Sequence, residues 1–388
     1  MLIYFVLIAI IILLYFTINK TKLSDSIKRN TFVWISAVLF LLLFSLRHEY
    51  MGYDLNVYLS SFKSINKMSW GEVLNNPKYI HFEPGFVVLN KFIGSIWLNN
   101  NFYLFFIAFL SILPVFVVIQ KHSSNVLMSV LIWVCCGHFL YVFSALRQAI
   151  AMAICLYAMS KLWDNHPLQF LIWVLVAWLI HSSSIIILGV LIPYIINNSR
   201  GLKSFYTIMI IVAFVAVFLF PQQMATIAMT LIGKTYNPSA ANDGTGLMAL
   251  VYFAVYIFAL LTHNQNDSKS ELVINIYAIA VVAQAFSRAH SQAGRIAVFF
   301  EIVVIILLPV ILCECSFGEK NPKSMLKGYI NVDNFRYVRK NTPRYIYIDG
   351  AMWCKILVII CFLVLGLYQI AYVPWPRANP YIFFWMQV

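Results

Sequence analysis

The chain has 388 residues, of which 62% are hydrophobic and only 11% charged. That balance lies outside the range of water-soluble domains and inside that of polytopic membrane proteins. The 27 Lys and Arg against 14 Asp and Glu give a net charge of +13, but they are scattered at the ends of apolar runs and form no basic stripe, which excludes nucleic acid as a partner.

The first apolar run, Leu2 to Ile18, has no basic segment before it and no small-x-small cleavage site after it. It therefore reads as a retained span and not as a signal peptide. Hydropathy at about 20 residues per spanning helix predicts an all-α protein with about 12 transmembrane helices in one integral membrane domain. Their expected ranges are Leu2–Ile18, Phe32–Leu46, Phe102–Ile119, Val126–Val142, Ala149–Met159, Leu168–Ile180, Ile185–Ile196, Phe205–Phe220, Leu247–Leu261, Leu272–Phe286, Ile296–Leu312 and Ile356–Tyr372.

Cytoplasmic loops are enriched in Lys and Arg. With both termini outside, the inner segments hold 17 of the 27 basic residues, among them Lys28, Arg29, Lys121, Arg336 and Arg339. All seven cysteines then fall in spans or on the inner side, where disulfides do not form. Two loops are long enough to hold structure. The outer one, 47–101, contains an apolar stretch from Phe86 to Trp97 that suits an amphipathic or re-entrant helix. The inner one, 313–353, is basic and Tyr-rich and suits an anionic membrane surface.

Ionisable residues beside the outer ends of the spans form a set: Arg47, His48, Glu49 and Asp54; His81 and Glu83; Arg147, which the polar Gln148 follows; His181; Arg288 and Arg295. Such groups are costly near lipid, so a convergent set reads as a site. The predicted spans at Ala149, Leu168 and Ile185 have only 11 to 13 residues and cover about 16 to 20 Å of a roughly 30 Å core. Arg147 and His181 at their ends should therefore line an outward polar cavity. A serine-rich kink with a hydrogen-bonded histidine is the alternative.

Arginine suits a pyrophosphate because its planar guanidinium donates two parallel hydrogen bonds. Arg147, Arg288 and Arg295 are the candidates, and the last two share a face if their seven-residue spacing is helical. The competing reading is snorkelling at the headgroups. Transfer of a sugar to a hydroxyl needs a base, for which His181, Glu83 and Asp54 are suited by type. No compact acidic motif or Cys pair compels a metal, so a metal-independent reaction without a cofactor is expected. Glu301, deep in an apolar run, is expected to pair with another span. The aromatic C-terminus, Tyr381 to Trp385, suits either sugar stacking or an interfacial belt.

Five short segments in order resemble the EpsG-like branch of Wzy-type bacterial polysaccharide polymerases. They are Phe44-Ser45-Leu46-Arg47, Gly52-Tyr53-Asp54-Leu55-Asn56-Val57-Tyr58, Glu83-Pro84-Gly85-Phe86-Val87-Val88-Leu89-Asn90, Arg147-Gln148-Ala149-Ile150-Ala151 and His181-Ser182-Ser183. The resemblance implies a glycosyltransferase of the multi-span, GT-C-like membrane class that includes O-antigen ligase. Such an enzyme sits in the bacterial inner membrane and joins undecaprenyl-pyrophosphate-linked oligosaccharide repeats at the periplasmic face, with a chain-length regulator as a protein partner. On this expectation His181, Glu83 or Asp54 takes the acceptor proton, and Arg147, Arg288 and Arg295 hold the donor. Arg47, Gln148 and Tyr58 complete the substrate-binding set. A flippase for the same lipid-linked glycan, or a non-catalytic subunit of an export complex, is the alternative.

Overall fold

The computed structural model describes residues 2–75, 82–197, 200–231, 246–262, 268–314, 327–331 and 345–349, with 360–361, 364, 366, 378 and 380–386 near the C-terminus. Apolar runs give α1 (Leu2–Asn19) and α2 (Asp25–Ser45), which pack together. The outer loop then folds into α3 (Leu55–Lys67), α4 (Trp70–Asn75) and α5 (Pro84–Ile96). Gly52 allows the entry to this loop: its φ is +117°, and a Cβ there would lie 2.0 Å from the Phe143 carbonyl oxygen.

Helix α6 (Asn100–His122) starts where the Asn99 side chain accepts the amides of Asn101 and Phe102, satisfying donors that have no partner within the helix. Asn125 caps α7 (Val126–Cys135) in the same way through Met128. Gly137 at φ +72° ends α7, and a 3-10 turn at His138–Leu140 leads into α8 (Tyr141–Ser144), bent by 60° from α7. There follow α9 (Leu146–Trp163), α10 (Pro167–Ile180), a 3-10 stretch at Ser182–Val190 and α11 (Leu191–Ile196). The second half contains α12 (Arg200–Leu219), α13 (Pro221–Leu231), α14 (Leu247–Thr262) and α15 (Ser268–Ala285). After a 3-10 turn at Phe286–Arg288, α16 (Ser291–Glu301) and α17 (Val304–Glu314) form a second bent pair. A two-stranded antiparallel ribbon, β1 (Lys327–Asn331) and β2 (Tyr345–Asp349), lies in the basic segment.

Among the described residues, five helices are long and apolar enough to cross a membrane, or up to seven if each bent pair is one span. That is fewer than the expected 12, because several predicted spans are short apolar helices, and most of Ile356–Tyr372 lies outside the described residues. Two expectations change in kind. The predicted α-helix at Ile185 begins as a 3-10 stretch. The predicted short span Ala149–Met159 is really the 18-residue α9, about 27 Å long. Hydropathy ended it early at polar residues, but inside the bundle these have partners: Gln148 donates to the Arg295 carbonyl at 2.8 Å. The Ala residues at 149, 151, 153 and 158 are buried, and such small side chains let α6 and α10 approach α9 closely.

Polar contacts mark two ends of the bundle. At one, Arg29 of α2 donates to the carbonyls of Ile119, Gln120 and Ser123, and Lys121 pairs with Asp164 at 2.5 Å. Lys203 of α12 pairs with Glu271 of α15 at that end too. At the other end lie the start of α9, the end of α10 and the start of α5.

Candidate functional site

Glu83 precedes α5, and Pro84 begins the helix, where a missing N–H costs nothing. Gly85 brings this helix start against the end of α10; a Cβ there would lie 2.6 Å from the Leu179 carbonyl oxygen and 2.7 Å from its Cβ. That close approach places the Glu83 carboxylate among groups far away in the chain. Its Oε1 accepts the Ser182 amide at 2.9 Å and the Ser182 hydroxyl at 3.1 Å, with His181 Nδ1 3.4 Å away. Its Oε2 accepts Arg147 Nη1. One carboxylate thus ties the start of α9 to the end of α10.

Aromatic rings fix the orientation of this cluster. The Arg147 guanidinium lies over the Phe82 ring at 4.7 Å, and Phe82 stacks on Tyr58 at 5.5 Å. The Arg147 charge also reaches the Tyr58 hydroxyl. The His181 ring stacks on Phe299 of α16 at 6.1 Å. Burial alone would raise the Glu83 pKa, but His181, the Ser182 N–H and the Arg147 charge outweigh it and hold the carboxyl at about 2. Glu83 is therefore a fixed anion near neutral pH and a poor proton acceptor.

The other predicted residues lie around this cluster at different depths. Asp54 precedes α3, one helical turn from Tyr58, and its charge reaches the Tyr58 hydroxyl. Gln148 ties α9 to α16 through Arg295. Arg288 and Arg295 do not share one helix face as the spacing suggested, since a 3-10 turn and a new helix start separate them. Arg288 donates to the Phe218 carbonyl and lies over the Phe218 ring at 4.5 Å. Arg47 is 1% exposed, donates to the Val142 carbonyl at 2.8 Å and pairs in a backbone bridge with Phe383. It sits in the packing and not over a cavity. His81 lies outside the described residues. Sequence reading missed Phe299 as a partner of His181, because a phenylalanine in an apolar run carries no signal.

A model of the EpsG family matches residues 30–342 of the chain. The chain belongs to the EpsG family. This is a family of polysaccharide polymerases, and the resemblance carried by the five short segments holds. No curated protein and no solved structure matches the chain. The EpsG match includes all of the clustered residues, Tyr58, Phe82, Glu83, Arg147, His181, Ser182 and Phe299.

Proposed function

We propose that this EpsG-family chain is a glycosyltransferase that joins undecaprenyl-pyrophosphate-linked oligosaccharide repeats on the outer face of the bacterial inner membrane. The observation that carries this reading is the single carboxylate, Glu83, that binds a permanent cation with one oxygen and has the His181 imidazole 3.4 Å from the other. The cluster also lies at the end of the bundle opposite Arg29, Lys121 and Lys203, and basic ends face the cytoplasm.

In the proposed reaction Glu83 orients His181 through Nδ1, which leaves Nε2 to take the proton of the acceptor hydroxyl. The hydroxyl oxygen bonds to the donor's anomeric carbon as the bond from that carbon to the pyrophosphate oxygen breaks. The lipid pyrophosphate leaves with the electron pair, and Arg147 stabilises its charge. The imidazolium then returns its proton to water. Because the leaving group is good, positioning and charge neutralisation supply most of the acceleration. Asp54 and Glu83 are weaker base candidates: Glu83 is held as an anion by its partners, and Asp54 lies a helical turn from Tyr58 with no contact to His181 among the described hydrogen bonds and ion pairs. Arg295 and Gln148 border the cluster and are assigned to the donor side, Arg288 to its periphery. A chain-length regulator and the lipid membrane complete the proposed partners.

The test is polymerisation by the purified full-length chain supplied with lipid-pyrophosphate-linked repeats. A ladder of products supports the reading, and a fall of roughly 10²–10⁴-fold with His181→Ala is expected of a lost general base. Transport of the lipid-linked repeat across vesicles without any ladder would replace this reading with a flippase.

A further inference from the structure

A second buried cluster lies where the two bent spans meet, and the proposed reaction uses none of it. Glu301 closes α16 at a 49° bend, and His138 follows α7 at a 60° bend. They are 3% and 1% exposed. His138 Nε2 lies 3.6 Å from Glu301 Oε1, and the Tyr252 hydroxyl of α14 donates to that same oxygen. Neither ring nitrogen of His138 has a hydrogen-bond partner.

Among the described residues, the other titratable groups around the pair are Tyr252 from α14, Cys136 from the first bend, Tyr141 from α8 and Tyr277 from α15, whose ring is 6.2 Å from that of Tyr252. Each of these is neutral when it holds its proton. Arg295, six residues earlier on α16 and about 9 Å away along the axis, is the cation on the same helix; Tyr141 lies within electrostatic reach of both Arg295 and Glu301.

Proton count decides the charge of this pair. With no proton it is a lone carboxylate, and with two it is a lone imidazolium. Only one proton leaves the pair neutral overall, either as a carboxylic acid beside an imidazole or as an ion pair. An isolated charge in a dry interior is far more costly than either neutral arrangement. We propose that His138 and Glu301 form a one-proton binding site in the membrane interior, at the junction of the two bent spans. The bound proton lets these spans meet without water. Its loss leaves a carboxylate that only opening the junction can solvate.

The test uses the full-length protein in lipid bilayers, isotope-labelled at Glu carboxyls and His rings, and read by solid-state NMR at about pH 8, where a solvated Glu and His together hold almost no proton. Signals are assigned by their loss in Glu301→Gln and His138→Gln. A protonated carboxyl beside a neutral imidazole, or a carboxylate beside an imidazolium, is the expected result. A carboxylate beside a neutral imidazole would overturn the proposal by showing that the pair binds no proton, and so would two protons on the pair. Glu301→Gln keeps an acceptor for Tyr252, so it should fold, and His138 in it should be neutral. An imidazolium in that variant would equally contradict a one-proton site.

Discussion

Replacing Glu83 by glutamine keeps the shape of the side chain and removes the charge that holds Arg147 and His181 together, so it separates positioning from packing. Loss of orientation of this kind should lower turnover by on the order of 10²-fold, with the protein still in the membrane. The Glu83 pKa is depressed to about 2, below its ordinary value near 4.3. Its contribution to stability is therefore complete above about pH 4.3 and is lost only as pH falls through 2. At about pH 8, where Glu83 is fully charged, Glu83→Gln should accordingly melt below the wild type; equal melting there would contradict a carboxylate that holds Arg147 and the end of α10 together. Arg147→Lys retains charge but loses the planar fork, so it should abolish most polymer. Arg47 gives the contrast. Arg47→Met leaves the buried Val142 carbonyl without its donor, and a cost of about 1–3 kcal/mol should appear as a lower melting temperature in purified protein. Similar melting for Arg47→Met and wild type would contradict its assignment to the packing.

At the scale of elements, the site depends on how closely α5 approaches α10. A methyl group at Gly85 collides with the backbone and Cβ of Leu179, neither of which can rotate away, so α5 must shift and carry Glu83 off Ser182. Gly85→Ala should cost most of the polymerase activity. Gly71→Ala in α4, where the nearest atom is Ser69 Oγ at 3.9 Å, should be silent. Equal activity of the two variants would remove the helix contact as the device that places Glu83. The sequence pointed to the chemistry of this region, since Glu83, Arg147 and His181 are ionisable groups beside apolar runs. It did not show that they meet, because Gly85 reads as an ordinary glycine until Leu179 is beside it. The breaks in the helices were equally hidden: hydropathy registers an apolar run across Val126–Val142 and Ile296–Leu312, whereas the first breaks at Gly137 in a left-handed conformation and the second just after Glu301.

At the scale of the molecule, the asymmetry of basic residues is the argument for an orientation in the membrane, and polar ties mark each end of the packed bundle. Arg29, Lys121 and Lys203 are tied to carbonyls or carboxylates at one end, while Arg147 is tied to Glu83 at the other. The number of spans was less legible, because composition alone does not separate a short apolar helix such as α14 from a full crossing. If the basic end faces the cytoplasm, a single cysteine at exposed Asn75, in a cysteine-free background, should react with a membrane-impermeant thiol reagent applied to intact spheroplasts. A cysteine at Asp25, whose side chain is fully exposed beside Lys28 and Arg29, should react only after the membrane is opened. Polymer formation in both variants must be retained for the result to count, and neither residue contacts the site. The reverse labelling pattern would turn Glu83, Arg147 and His181 toward the cytoplasm, where a lipid-linked repeat that has already crossed the membrane cannot reach them, and the proposed reaction would fail with it.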